Sequence, residues 1–187
     1  MRNLRNLAWK VNWYRQSELE GALLLGKMLR HVRDPELMSR LTKHCADEAR
    51  HAWVWERTRT TLGLPAVQIR RSYQSFYSEG TTPPASLPEV LGLTHIFEQR
   101  VHRQFTEELE QPDLPAALRR TFIILLRDEQ GHLDWVARWL STHPDGERAL
   151  QRYRDIDERV YHQLLPYQER IWDICGLGEE IDACVPQ

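Results

Sequence analysis

Four stretches of this chain repeat apolar residues at helical spacing, and each admits an acidic residue into the face that has to be buried. That conflict limits the fold more than any other feature, because a buried carboxylate is costly unless a positive charge compensates it. The first stretch runs from about Ala8 to His31, with Glu18 on the face of Ala22, Leu25 and Leu29. The second opens at Asp34-Pro35-Glu36, where Asp34 suits a cap and Pro35 the first turn. It carries Leu37, Leu41, His44, Glu48, His51 and Trp55 before Gly63 and Pro65 end it. The third begins at the capping-box pattern Ser86-Leu87-Pro88-Glu89 and carries Leu91, His95, Glu98, Val101, His102, Phe105 and Leu109. The fourth follows Asp113-Leu114-Pro115, with Leu118, Phe122, Leu125, Glu129, His132, Val136 and Trp139, and stops at Pro144 and Gly146.

Two of these stretches hold the same motif, Asp47-Glu48-Ala49-Arg50-His51 and Asp128-Glu129-Gln130-Gly131-His132. Residues three apart on a helix share a face, so each Glu and its His reach one inward point. Random placement of the chain's Glu and His gives roughly 0.7 Glu-x-x-His matches, and a preceding Asp lowers that to about 0.04. Glu18 precedes Glu48, and Glu98 precedes Glu129, by about 30 residues, which returns the acids to equal depth in two similar helical hairpins. The expected fold is therefore all-α. It is an antiparallel four-helix bundle over about 8–142 with a long crossover, Leu64 to Leu87, between helices two and three. A further C-terminal helix over about 147–175, with a stripe of Tyr153, Ile156, Val160, Leu164, Tyr167 and Ile171, is expected to pack outside the bundle or on a partner subunit. The whole, 1–187, reads as a single domain. Arg70, Arg71, Tyr73, Phe76 and Tyr77 decorate the crossover, which reads as a strap in preference to a lid.

Composition removes several function classes. A net charge of -2 gives no overall attraction to nucleic acid or to an anionic membrane. The first ten residues lack the apolar run of a signal peptide, and Ala22 to Leu25 is too short to cross a bilayer, so a cytoplasmic protein is expected. Cys45, Cys175 and Cys184 form no Cys-x-x-Cys pair, which argues against a disulfide framework and a zinc-cysteine site. Seven Trp against nine Gly suit a helical core filled by large rings.

The candidate metal ligands are Glu18, Glu48, His51, Glu98, Glu129 and His132. Four carboxylates and two imidazoles on four helices form the donor pattern of di-iron and di-manganese carboxylate bundles, and their charge offsets two divalent cations. Oxygen-rich ligation with one nitrogen per cation favours iron or manganese, alone or mixed, over structural zinc. Asp47 and Asp128 stand beside the ligands, where each suits the second ring nitrogen of a ligand His, with Arg50 holding such an Asp. His44, His95 and His102 read instead as polar core contacts or partly exposed residues, and Tyr14, Trp53, Trp55 and Trp135 as aromatic packing.

On these residues the chain, over about Trp9 to Leu140, resembles the ferritin-like superfamily, nearest in pattern to its rubrerythrin-like branch. Glu18, the Asp34-Pro35-Glu36-Leu37 helix start, and Glu48 with His51 carry the resemblance. Asp47 to His51 is also similar to the Asp-Glu-x-Arg-His segments of bacterial multicomponent monooxygenases, whereas the fourth helix has Gly131 where Arg would stand. The resemblance implies two iron ions reacting with dioxygen or peroxide, in an oxygenase, hydroxylase or peroxidase-like oxidoreductase, with a separate electron donor if it is an oxygenase. No Cys-rich rubredoxin module accompanies the bundle. A homodimer fits this family. A tRNA-modifying hydroxylase is one version, requiring an RNA rim at Arg70 and Arg71 that the net charge does not favour. The alternatives are an iron-oxidising or iron-storing protein without organic substrate, and a metal-free helical scaffold.

Overall fold

The computed structural model describes residues 4–69, 72–78 and 81–172, with the side chains of 6–69, 72–78 and 81–164. The elements are α1 (Leu4–Leu29), α2 (Pro35–Thr61), α3 (Tyr73–Tyr77), α4 (Leu87–Leu109), α5 (Ala116–Thr142) and α6 (Gly146–Trp172), with no strand among the described residues. Local signals fix most of the ends. Asp34 caps α2 by accepting from the Leu37 N–H at 2.7 Å, with Pro35 in the first turn. Gly63, at φ 63°, supplies the left-handed turn that closes α2. Ser86 accepts from the Glu89 N–H at 3.4 Å, but Glu89 reaches back to Ala85 N–H at 2.8 Å, so the expected capping box closes one residue early. α1 starts ahead of the expected Ala8, and the far end expected for α6, Cys175, lies outside the described residues, as do Arg70, Arg71 and Cys184.

Side-chain pairings set the directions. Arg15 meets Glu56 at 3.3 Å, the Trp55 indole donates to Glu18 at 3.2 Å, and the Cys45 thiol donates to the Ala22 carbonyl at 3.2 Å. Numbers rise along α1 as they fall along α2, so the two are antiparallel. The same holds for α4 and α5, where Phe105 and Phe122 have ring centroids 5.0 Å apart and Arg119 donates to the Leu109 carbonyl at 2.9 Å. α2 opposes α5, with Thr58 and Thr121 hydroxyls 2.5 Å apart at one level and Asp47 3.2 Å from His132 at another.

Three apolar clusters result. One gathers Leu25, Val32, Leu37, Leu41, Leu91 and Val136 near the α1–α2 turn. A second, at the other end of these helices, holds Val11, Trp55, Phe105, Leu118, Phe122 and Leu125. The third lies against α6, where Tyr153, Ile156, Val160 and Leu164 pack on Trp9, Trp13, Leu93 and Ile96. The expected C-terminal stripe is thus buried within the chain, chiefly on α4, with no need of a partner subunit; the side chains of Tyr167 and Ile171 lie outside the described residues.

The segment read as a plain strap contains a helical turn. α3 forms because Ser72 accepts in its first turn and Tyr73, Phe76 and Tyr77 bury their rings against α6. Periodicity could not reveal five residues of helix, which are too few to repeat a stripe. The segment is tied down along its length: Asn12 donates to the Pro65 carbonyl at 3.3 Å, Gln74 to the Ser17 carbonyl at 2.9 Å, and Arg152 to the Thr82 carbonyl at 2.7 Å. Tyr77 and Arg100 both bond Asp157, joining α3, α4 and α6 at one buried carboxylate.

α6 approaches α4 closely at Gly92, where a Cβ would stand 3.1 Å from the Ala149 carbonyl carbon and 3.2 Å from its oxygen. Backbone atoms cannot turn aside. Gly92→Leu is expected to destabilise the chain by about 1–3 kcal/mol through overpacking, read as a lower urea midpoint at unchanged slope.

Candidate metal centre

Between the first two clusters the inner faces of α1, α2, α4 and α5 turn polar. Glu18, Glu48, Glu98 and Glu129 meet there with exposures between 2 % and 7 %, and His44, His51 and His132 are buried with them. The seven side chains form two groups able to hold metal ions: His44, Glu48, Glu98 and His132, and Glu18, Glu48, His51 and Glu129. Within each group the ligand atoms lie within 4.8 Å of one another, and Glu48 belongs to both.

The expected six residues therefore converge, and a seventh joins them. The sequence reads His44 as a polar core contact or a partly exposed residue, and it is buried. Its Nε2 lies 2.7 Å from Glu98 Oε1 and 3.3 Å from Glu48 Oε1, and its ring stacks on His132 with centroids 3.7 Å apart. A signal existed in the sequence, since His44 stands one turn before Glu48 on the same stripe. His95 and His102 stay out of the groups: His95 is buried beside Gln99, at 3.1 Å, and His102 is half-buried.

The two motif histidines are oriented alike. His51 Nδ1 faces Glu129 at 3.1 Å and Glu18 at 3.7 Å, and His132 Nδ1 faces Glu129 at 3.3 Å and Glu48 at 3.4 Å. Their outer Nε2 atoms meet aspartates from the opposite helix, His132 with Asp47 at 3.2 Å and His51 with Asp128 at 3.4 Å. Each aspartate is held in turn by a cation toward solvent, Asp47 by Lys43 at 2.5 Å and Asp128 by Arg50 at 2.6 Å. The arms cross, so α2 orients the histidine of α5 and α5 that of α2. A carboxylate on the outer nitrogen fixes the tautomer and leaves the inner one free to coordinate.

The protein's own groups satisfy this layer poorly. His44 Nε2, His51 Nδ1, Glu48 Oε1 and both Glu98 oxygens are buried and have no hydrogen-bond partner, although other ligand atoms stand within 4 Å. Lone pairs converging on a shared point, misaligned for hydrogen bonds with each other, are what a cation would satisfy. Gly21 leaves room for this packing, because a Cβ there would come 2.8 Å from Glu48 Oε2.

Electrostatics show the same tension. Burial, then the charges of Glu129, Glu18 and Glu98, push the Glu48 carboxyl well above the usual range. Burial also raises Glu98, against the pull of His44. Burial opposes a charged His51, but the nearby Glu129 and Glu18 carboxylates, 3.1 and 3.7 Å from Nδ1, win, and its pKa is pushed up to about 11. For Glu129 burial works upward and loses to the hydrogen bond of His132 and the close His51 ring, which hold it at about 2.

A cavity of about 50 Å³ reaches this layer between α1 and α4. That is several times the roughly 10–15 Å³ one water needs. Glu18, Glu48, Glu98 and Glu129 form its inner end, while Trp9, Trp13, Tyr73, Phe97, Val101 and Phe105 make its walls largely apolar. The basic groups on the wall are engaged: Lys10 pairs with Glu108, and Arg100 donates to Asp157 at 2.8 Å and stacks over Tyr161 at 3.9 Å. Nothing in the sequence marks these lining residues, which come from α1, α3 and α4 and share no local pattern.

Comparison with protein-family models, with curated proteins and with solved structures gives no match. No helix among the described residues is long and apolar enough to cross a membrane.

Cations must displace the proton on His51, so their uptake by the metal-free chain is expected to release one proton or more per chain at neutral pH. Affinity then rises with pH toward the His51 value of about 11. Calorimetry in buffers of different ionisation enthalpy measures that release, and a buffer-independent heat would contradict it.

Proposed function

We propose that this chain is a ferritin-like diiron-carboxylate oxidoreductase, in which four helices of an up-down-down-up bundle hold the centre and residues 62–86 form the crossover. The antiparallel pairings of α1 with α2, α4 with α5 and α2 with α5 support that topology. The observation that carries the function is the cavity: an apolar chamber whose inner wall is the metal-binding carboxylates suits an organic substrate brought to an oxidising centre. An iron-handling protein would instead need a hydrophilic route for the incoming ion.

Glu18, Glu48, His51, Glu98, Glu129 and His132 would hold two iron ions, the donor set also admitting manganese or a mixed pair. Iron bound there would supply activation of dioxygen or peroxide, with electrons from a separate donor when an organic substrate is oxygenated. The remaining work falls to the chain's own side chains. Asp47 and Asp128 keep His132 and His51 in the coordinating tautomer. The Trp55 indole fixes one oxygen of Glu18 by donating to it at 3.2 Å, leaving the other to face the centre. Trp9, Trp13, Phe97 and Phe105 exclude water and orient a small apolar substrate against the carboxylates. With Lys10 and Arg100 engaged by acids, the wall offers little to an anionic substrate.

Protein produced with iron should contain close to two metal ions per chain, and its Fe(II) form should change absorbance on mixing with dioxygen or peroxide. Metal content near zero would favour a scaffold. His51→Ala or Glu129→Ala should each lose about one metal per chain and the oxygen-dependent change, since single-ligand and outer-partner losses weaken such sites by about 10–100-fold or more. Val101→Trp is expected to keep both metals while lowering oxidation of a very small apolar probe such as propene at least about tenfold. Undiminished turnover in that variant would exclude the cavity as the substrate site.

A further inference from the structure

Resting on the metal-centre reading above, we propose that His44 is a metal ligand, so that the pair of cation sites is unlike. One site would draw two nitrogens, from His44 and His132, with Glu98 and the shared Glu48. The other would draw one nitrogen, from His51, with Glu18, Glu129 and Glu48.

The case starts from what His44 does not do. Its side chain is fully buried, and a histidine in a core ordinarily donates to a carbonyl or carboxylate. Here neither ring nitrogen has a hydrogen-bond partner. Nε2 stands 2.7 Å from Glu98 Oε1, yet both atoms remain without a hydrogen bond because they are misaligned for one. Two donor atoms that close and that poorly aimed at each other are both aimed at a third point. His44 also stacks on His132 with ring centroids 3.7 Å apart, which brings two imidazoles to one side of the layer. His44 differs from the other two in its outer nitrogen, which meets no aspartate and has the edge-on Trp135 ring at 5.7 Å nearby. Its bond is therefore the least supported of the three, and its loss should weaken one site without emptying the other.

Unlike donor sets separate metals. Affinity for nitrogen-rich sites rises from Mn(II) through Fe(II) to Co(II), so the two-nitrogen site should fill first with Co(II), and the contrast between the sites should shrink with Mn(II).

The test is anaerobic titration of the metal-free full chain with Co(II), followed by calorimetry and by proton NMR in water. The expected result is two binding steps at least about tenfold apart. With both sites filled, three exchangeable hyperfine-shifted imidazole N–H signals should appear, one each from His44, His51 and His132. His44→Ala should weaken only the tighter step, by about tenfold or more. His44→Gln, whose amide can still donate to Glu98, should be just as weak. Rescue of the tighter step by His44→Gln would make His44 a positioning residue and overturn the proposal, as would two signals in place of three in the unaltered chain. Two equal steps with two signals would overturn it while leaving the metal centre standing. No Co(II) binding at all would remove both readings together.

Discussion

Four carboxylates confined to one layer, between two apolar clusters, are the constraint on which the rest of this protein depends. Lost hydration and then mutual repulsion push Glu48 and Glu98 upward, and His132 and His51 hold Glu129 down. A chain can bury such a layer only if something positive completes it. Here the apolar clusters on either side supply the folding energy, and the centre supplies a demand for cations.

That demand shapes the surroundings. The crossed Asp47–His132 and Asp128–His51 contacts tie α2 to α5 through the same groups that set histidine tautomers, so orientation of the ligands and helix packing are one network. Its outer members, Lys43 and Arg50, face solvent and pair with the two aspartates. On the opposite side of the layer, α1 and α4 part around an apolar cavity, and Tyr73 of α3 closes part of its wall. The connecting segment that delivers Tyr73 is tied by hydrogen bonds to α1 and α6. The centre is thus braced by hydrogen bonds and ion pairs on one side and bordered by a largely apolar cavity on the other.

α6 explains why the bundle can afford that opening. Tyr153, Ile156, Val160 and Leu164 cover α4 and meet Trp9 and Trp13 from behind the cavity wall. The close approach at Gly92 and the shared Asp157 carboxylate fix α6 and α3 as one brace. Packing lost on the cavity side is offset by a third apolar cluster on the outside.

Helix positions and inward acids were readable along the chain, because caps act over three or four residues and a buried face repeats every turn. Asp34, Ser86, Gly63 and the Glu18, Glu48, Glu98 and Glu129 stripe positions carry that information locally. The two Asp-Glu-x-x-His motifs likewise predicted convergence, since three-residue spacing sets a common face. Tertiary structure alone decided which partners meet across helices. It joined Asp47 to His132 and Asp128 to His51, brought His44 onto Glu98, and drew cavity walls from α1, α3 and α4. These are relations between residues distant in sequence, fixed by how helices rotate and stack against one another, and periodicity within one helix contains no record of its neighbour's phase.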